Sequence, residues 1–207
     1  MAQVIAGDPF KITGKIGDRV YVKYKGGIYV RKTPTVRKEA RTPAMLLNQQ
    51  RFACVFRFCS QFKRTIIPMI WNDAAIKGSG YNYFLKSNSP AFARDGSMDD
   101  PALLKFSVGG LLMPVNLLAE RQAPGSGTIL AGWEKKTHLL GICLKDELMM
   151  ISGDGEQFSA LTPTGLKRKD LEGIFELPDS PNPASHLYLF FASEDRRSFS
   201  ESRCFKI

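Results

Sequence analysis

The sequence predicts an α+β protein, mainly β: an N-terminal β-hairpin plus a helix, followed by an immunoglobulin/fibronectin-III-like β-sandwich. Three observations predict it. A Gly26-Gly27 pair separates two segments rich in β-branched and aromatic residues. An apolar stripe at helical spacing runs from Met45 to Ile66. Beyond residue 100 the period becomes strand-like, with short apolar segments between turn clusters. The domain boundary is therefore expected there, with residues 1–100 as a basic hairpin and helical docking region and 101–207 as the sandwich.

Residues 10–33 read as the hairpin. Arg19-Val-Tyr-Val-Lys-Tyr-Lys25 is one strand, Ile28-Tyr-Val-Arg-Lys32 the return, and Pro34 ends it. A two-residue turn at Gly26-Gly27 sets Tyr24 opposite Tyr29 and Val22 opposite Arg31, with Tyr21, Lys23 and Val30 on the other face. Neither face is cleanly apolar. Such a ribbon reads as a projecting arm, or as an edge that another surface covers. Residues 34–41 form a short polar, basic linker. Thr42-Pro43 then supplies a hydroxyl cap and a proline at the first helical position. Met45, Phe52, Val55, Cys59, Phe62 and Ile66 share one helical face, while Arg51, Arg57, Lys63 and Arg64 lie off it. Phe56 and Phe58 widen the apolar surface beyond one seam. Pro68 interrupts the pattern, Met69–Ile76 continues as a short helix, and 81–86 adds another helical turn. The expected strands of the second half are 103–112, 127–133, 138–144, 147–152, 173–176, 186–192 and 198–207.

Charge is the strongest functional signal. The first 64 residues hold 14 Lys and Arg against three acids, a net of +11, although the whole chain is only +9. A single-sign field at one end attracts anionic partners or acidic protein surfaces. Apolar residues make up 43% of the chain, enough for a folded core. No apolar run is long enough to span a bilayer, so no membrane partner is expected. The N-terminus carries neither a positive n-region nor a long apolar h-region, so a secretory signal is not expected and a cytoplasmic location is. The four cysteines (54, 59, 143 and 204) show no C-x-x-C spacing and read as reduced, buried thiols.

Two stretches carry a family resemblance. The hairpin from Gly14-Lys-Ile-Gly17 through Tyr29-Val-Arg31 leads into Arg41-Thr42-Pro43-Ala44 and Gln50-Arg51-Phe52, and Tyr188-Leu-Phe-Phe-Ala-Ser precedes Ser200-Glu-Ser202. This resembles an uncharacterised Bacteroidetes family with a basic N-terminal hairpin, an R-T-P-A-Q…R-x-F helix and a β-rich C-terminal half. The helix signature is also similar to that of some phage-encoded structural proteins. Glu39-Ala40 stands where Asn-Pro is common in the family, and Met45 where Gln is. The resemblance implies a fold and a non-enzymatic role, with a virion-associated location if the chain is phage-derived.

Catalytic constellations are not legible. His138 and His186 lack further ligands at metal spacing, so no metal or cofactor is expected. There is no G-x-S-x-G and no phosphate-cradling G-x-x-x-x-G-K-[ST]. Gly153-Asp-Gly155-Glu lacks the alternating oxygens of a calcium loop and reads as a hairpin turn. The paired acids Asp99-Asp100, Asp146-Glu147 and Glu194-Asp195 sit at turns or strand ends.

The expected site is instead an interaction surface: Tyr21, Lys23, Tyr24, Lys25, Tyr29, Arg31, Lys32, Arg41, Arg51 and Phe52. Aromatics act as anchors and cations steer and orient. The expected role is a non-catalytic structural or protein-interaction component, docking to a protein partner or to its own copies. The alternative is a nucleic-acid or ribonucleoprotein binder, in which the same tyrosines stack on bases and the same cations meet phosphates.

Overall fold

A computed structural model of the chain describes residues 12–24, 27–35, 41–76, 78–114, 116–135, 141–179 and 182–207. Helix and strand occur in comparable shares, about 28% and 33%, and the sheets are antiparallel. The chain divides into two compact units, Met1–Thr42 and Pro43–Ile207.

The first unit is a three-stranded sheet of β1 (Gly14–Ile16), β2 (Arg19–Tyr24) and β3 (Gly27–Lys32), in that order. Gly17, at φ +57°, makes the turn between β1 and β2, where a side chain would be strained. The β2–β3 register differs from the expected one by two residues: Val22 pairs with Tyr29, and Tyr24 with Gly27. Gly27 belongs to the ladder and is not a turn residue. In this register every residue of β2, from Arg19 to Tyr24, finds a partner on β3. Because the shift is even, each side chain keeps its expected face.

In the second unit, α1 (Pro43–Gln61) opens on its proline and buries Val55, Phe58 and Cys59. A single π turn (Ile67–Trp71) follows, with Pro68 near its start, then α2 (Asn72–Ala74). Proline has no N–H to continue the α pattern, and the chain widens its hydrogen bonding locally. The next helix, α3 (Gly80–Asn88), is capped by Ser79, whose hydroxyl accepts the Asn82 N–H at 3.3 Å.

Seven strands complete the unit: β4 (Leu118–Arg121), β5 (Thr128–Gly132), β6 (Glu147–Gly153), β7 (Thr162–Lys167), β8 (Glu172–Glu176), β9 (His186–Ala192) and β10 (Arg203–Lys206). They pair as β10-β9-β6-β7 and as β4-β5-β8. The β6–β9 pair is buried on both faces. Met149, Ile151, Tyr188, Phe190 and Ala192 join a cluster with Phe58, Phe62, Trp71, Phe84 and Phe106. Leu148, Met150, Leu187, Leu189 and Phe191 join a second cluster with Ala119, Ile129, Ala131, Trp133 and Phe175. The four-stranded sheet therefore lies between helices on one side and the β4-β5-β8 sheet on the other.

That layering explains why the compact units meet at 42/43, whereas the sequence placed a boundary at 100/101. The helices bury their apolar faces against β6 and β9, so residues 55–106 and 149–199 share one core. Two expected strands do not form among the described residues. Residues 103–112 run through Gly109 and satisfy their backbone outside any ladder: the Phe106 N–H donates to Ser202 Oγ at 3.0 Å, and the Lys105 N–H to Asn88 Oδ1 at 2.8 Å. A Cβ on Gly109 would collide with the Phe199 carbonyl oxygen, so only glycine permits this approach. Of 138–144, residues 138–140, His138 among them, lie outside the described residues, and Gly141–Lys145 is a 3₁₀ turn. Two strands of this unit went unread. β4 is short, and β7 contains Pro163 and Gly165, residues that demote a strand except at an edge, where β7 lies.

One ion pair is sealed into the second cluster's rim. Arg168 Nε donates to Asp146 Oδ2 at 3.1 Å, with both residues 3% exposed. Burial pushes the Asp146 carboxyl up, and the guanidinium pulls it back. The Arg168 guanidinium also lies 4.1 Å from the Phe191 ring centre, and the Trp133 indole N–H donates to the Arg168 carbonyl at 3.0 Å. Among the described residues no helix is long and apolar enough to cross a membrane.

Two outcomes follow from this packing. Arg168→Met strands a buried carboxylate and costs about 3–5 kcal/mol in urea unfolding, whereas Arg168→Met with Asp146→Leu recovers most of that loss. Trp71 reports on the first cluster and Trp133 on the second. Fluorescence melts of Trp133→Phe and Trp71→Phe should therefore each coincide with the same variant's circular-dichroism melt, because both clusters share β6 and β9.

Candidate docking surface

None of the described residues in the first unit is buried. One face of its sheet carries Ile16, Arg19, Tyr21, Lys23, Ile28, Val30 and Lys32; the opposite face carries Lys15, Val20, Val22, Tyr29 and Arg31. Tyr29 is 60% exposed and sits across from Val22, two residues along β3 from Arg31. Tyr21 is half-buried. Cations and apolar side chains thus alternate on both faces, and the tyrosines do not form one cluster. Tyr24 pairs with Gly27 through its backbone, and Lys25 lies outside the described residues. Asp18 is the one acid among the described residues of this unit.

The remaining expected residues belong to different settings. Arg41 is exposed just before α1. Arg51 is a structural bridge: its Nη2 donates to the Ser89 carbonyl at 2.8 Å, tying α1 to the turn after α3. Its Nε is buried with no partner among the described residues. A guanidinium held in this way is a poor steering charge for a distant partner, so the steering role expected for Arg51 gives way to a packing one. Phe52 is 58% exposed on α1. It starts an aromatic row, with Phe56 at 6.4 Å and then Tyr81 at 5.7 Å between ring centres. Leu46 and Leu47, nearer the start of α1, are also exposed. The sequence already marks Phe56 as widening the apolar surface of α1. Leu46 was not singled out, although it lies off the buried stripe.

The groups with catalytic or metal-binding chemistry are mostly engaged. A surface groove of about 450 Å³ is lined by Cys143, Asp146, Ser193, Glu194, Asp195 and Ser198. Asp146 holds Arg168, and Glu194 meets Lys145 at 3.3 Å. Asp195 accepts from the Ser193 hydroxyl and the Arg197 N–H, which keep its carboxyl below the usual range. Asp154 accepts the Glu156 and Gln157 N–H groups in the turn after β6, as expected of a hairpin turn. His186 lies beside Ser185 Oγ at 2.8 Å, and burial, with Lys206 nearby, lowers its pKa. Cys59 is fully buried in the first cluster, which pushes its thiol up to about 12. Among the described residues no group of three or more metal-ligating side chains converges.

No family model, curated protein or solved structure matches this chain.

The two kinds of residue separate by substitution. Arg51→Met loses the bridge to Ser89 and lowers stability by about 1.5–3 kcal/mol in denaturant unfolding. Phe52→Ser removes an exposed ring and changes stability by no more than about 0.5 kcal/mol.

Proposed function

We propose that this chain is a non-catalytic structural or interaction protein that docks through its N-terminal sheet and the exposed aromatic row of α1. The observation that carries this reading is a three-stranded sheet with no buried side chain among its described residues, yet with exposed Ile16, Val22, Tyr29 and Val30. Small sheets need an apolar face covered to be stable. A sheet of this kind, rich in cations, fits an acidic protein surface that covers it. A place in a phage-like particle is part of the proposal, in line with the resemblance to phage-encoded structural proteins and to the Bacteroidetes family.

The body is proposed to be a sandwich of fibronectin-III type. Its support is the strand order: the first, second and fifth body strands pair as β4-β5-β8, and the seventh, sixth, third and fourth as β10-β9-β6-β7. The helices on the outer face of the larger sheet are an addition to that plan.

Size-exclusion chromatography with light scattering tests the docking reading. The expected result is self-association, or a stable complex with a captured partner, that persists at ~0.15 M ionic strength, where the Debye length is about 8 Å. A chain that stays monomeric at high concentration and captures nothing overturns it. The second reading, nucleic-acid binding, draws on the exposed Tyr29 near Arg31 and Lys15. It expects filter retention of single-stranded DNA or RNA that falls steeply with salt. No retention at low salt removes it.

A further inference from the structure

We infer that the outer face of the β4-β5-β8 sheet receives the N-terminal sheet of a second copy of this chain. The inference rests on the docking reading above and names its receptor.

The three strands alternate cleanly. Ala119, Ile129, Ala131 and Phe175 point into the second cluster. The outer face carries Leu118, Glu120, Thr128, Leu130, Glu172, Ile174 and Glu176, arranged by register in rows. Leu118 lies across from Gly132 and Glu172, Glu120 from Leu130 and Ile174, and Thr128 from Glu176. An outward antiparallel face is ordinarily polar. Here Leu118, Leu130 and Ile174 are 64%, 45% and 52% exposed, and Leu130 and Ile174 are direct cross-strand partners. The charges on this face are all negative. Arg121, the one cation in these strands, donates instead to the Ser126 and Ala184 carbonyls.

The N-terminal sheet offers the complement. Arg19, Lys23 and Lys32 share a face with Ile16, Ile28 and Val30. Arg19 lies directly opposite Lys32. Like charges facing one another destabilise a ladder, and an acidic counter-surface removes that penalty. Among the described residues, none of these three cations forms an ion pair with a carboxylate. Each surface is three strands wide, with three large aliphatics among three charges of one sign. Such faces can pack sheet on sheet at a spacing of about 10 Å. The three glutamates repel nucleic acid and anionic lipid, which leaves a cationic protein surface as the occupant, and this chain carries one.

Sedimentation velocity over a concentration series decides it, using the wild type, Glu120→Lys/Glu172→Lys/Glu176→Lys, Arg19→Glu/Lys23→Glu/Lys32→Glu, and an equal mixture of the two variants. The wild type should form larger species as concentration rises. Each variant alone should associate at least about tenfold more weakly, and the mixture should recover association because the swapped charges meet again. Leu130→Ser/Ile174→Ser, which leaves every charge in place, should weaken association in the same direction and carries the test if a charge reversal fails to fold. A wild type that associates while both face variants match it overturns this inference and leaves the docking reading standing. A wild type that stays monomeric while capturing a different protein does the same. A mixture no better than either variant alone also overturns the inference.

Discussion

The β6–β9 ladder is the constraint on which the body depends. Its seven residue pairs run without a break from Glu147 opposite Ala192 to Gly153 opposite His186. Alternate residues feed the two apolar clusters, so neither cluster exists without the ladder. Every backbone group here sits far from water and must find a partner within the protein. The ladder supplies most of them. Neighbouring hydroxyls complete the set, as where the Phe191 N–H donates to Ser200 Oγ at 2.8 Å. Burial on both faces also explains the composition of the strands. Leu-Met-Met-Ile in β6 and Leu-Tyr-Leu-Phe-Phe-Ala in β9 are continuous apolar runs, because neither face has a reason to be polar.

Those runs were legible in the sequence, and so were β5, β8, the hairpin and α1. Each combines a strong local pattern with a clear stop signal, such as Pro34 or the glycines at 153 and 155. What escaped was decided by tertiary context. Leu-Leu-Lys-Phe-Ser-Val at 103–108 has strand composition, but the side chains of Asn88 and Ser202 take its N–H groups before a neighbouring strand can. β7 has poor strand composition, yet an edge position tolerates its proline. The hairpin register slipped because Gly27 looked like a turn residue, and only full pairing of two six-residue strands makes it a ladder residue. The docking residues split the same way. Composition pointed to the cationic, tyrosine-bearing sheet, whereas the role of Arg51 depended on a carbonyl 38 residues away.

The two compact units contrast in how they use apolar side chains. In the body, large aromatics stack edge-to-face around Phe58, Phe62 and Phe106, with ring centres 5.2–6.1 Å apart. In the N-terminal sheet, the apolar side chains stay at the surface between cations. Leu118 and Leu130, on the outer face of the smaller body sheet, are exposed in the same way.

The buried Cys59 thiol gives the molecule an internal clock. Held above the range where thiolate forms at neutral pH, it cannot react with an alkylating reagent until the α1 face lifts from the sheet beneath it. Its labelling rate therefore measures how often the helical layer detaches.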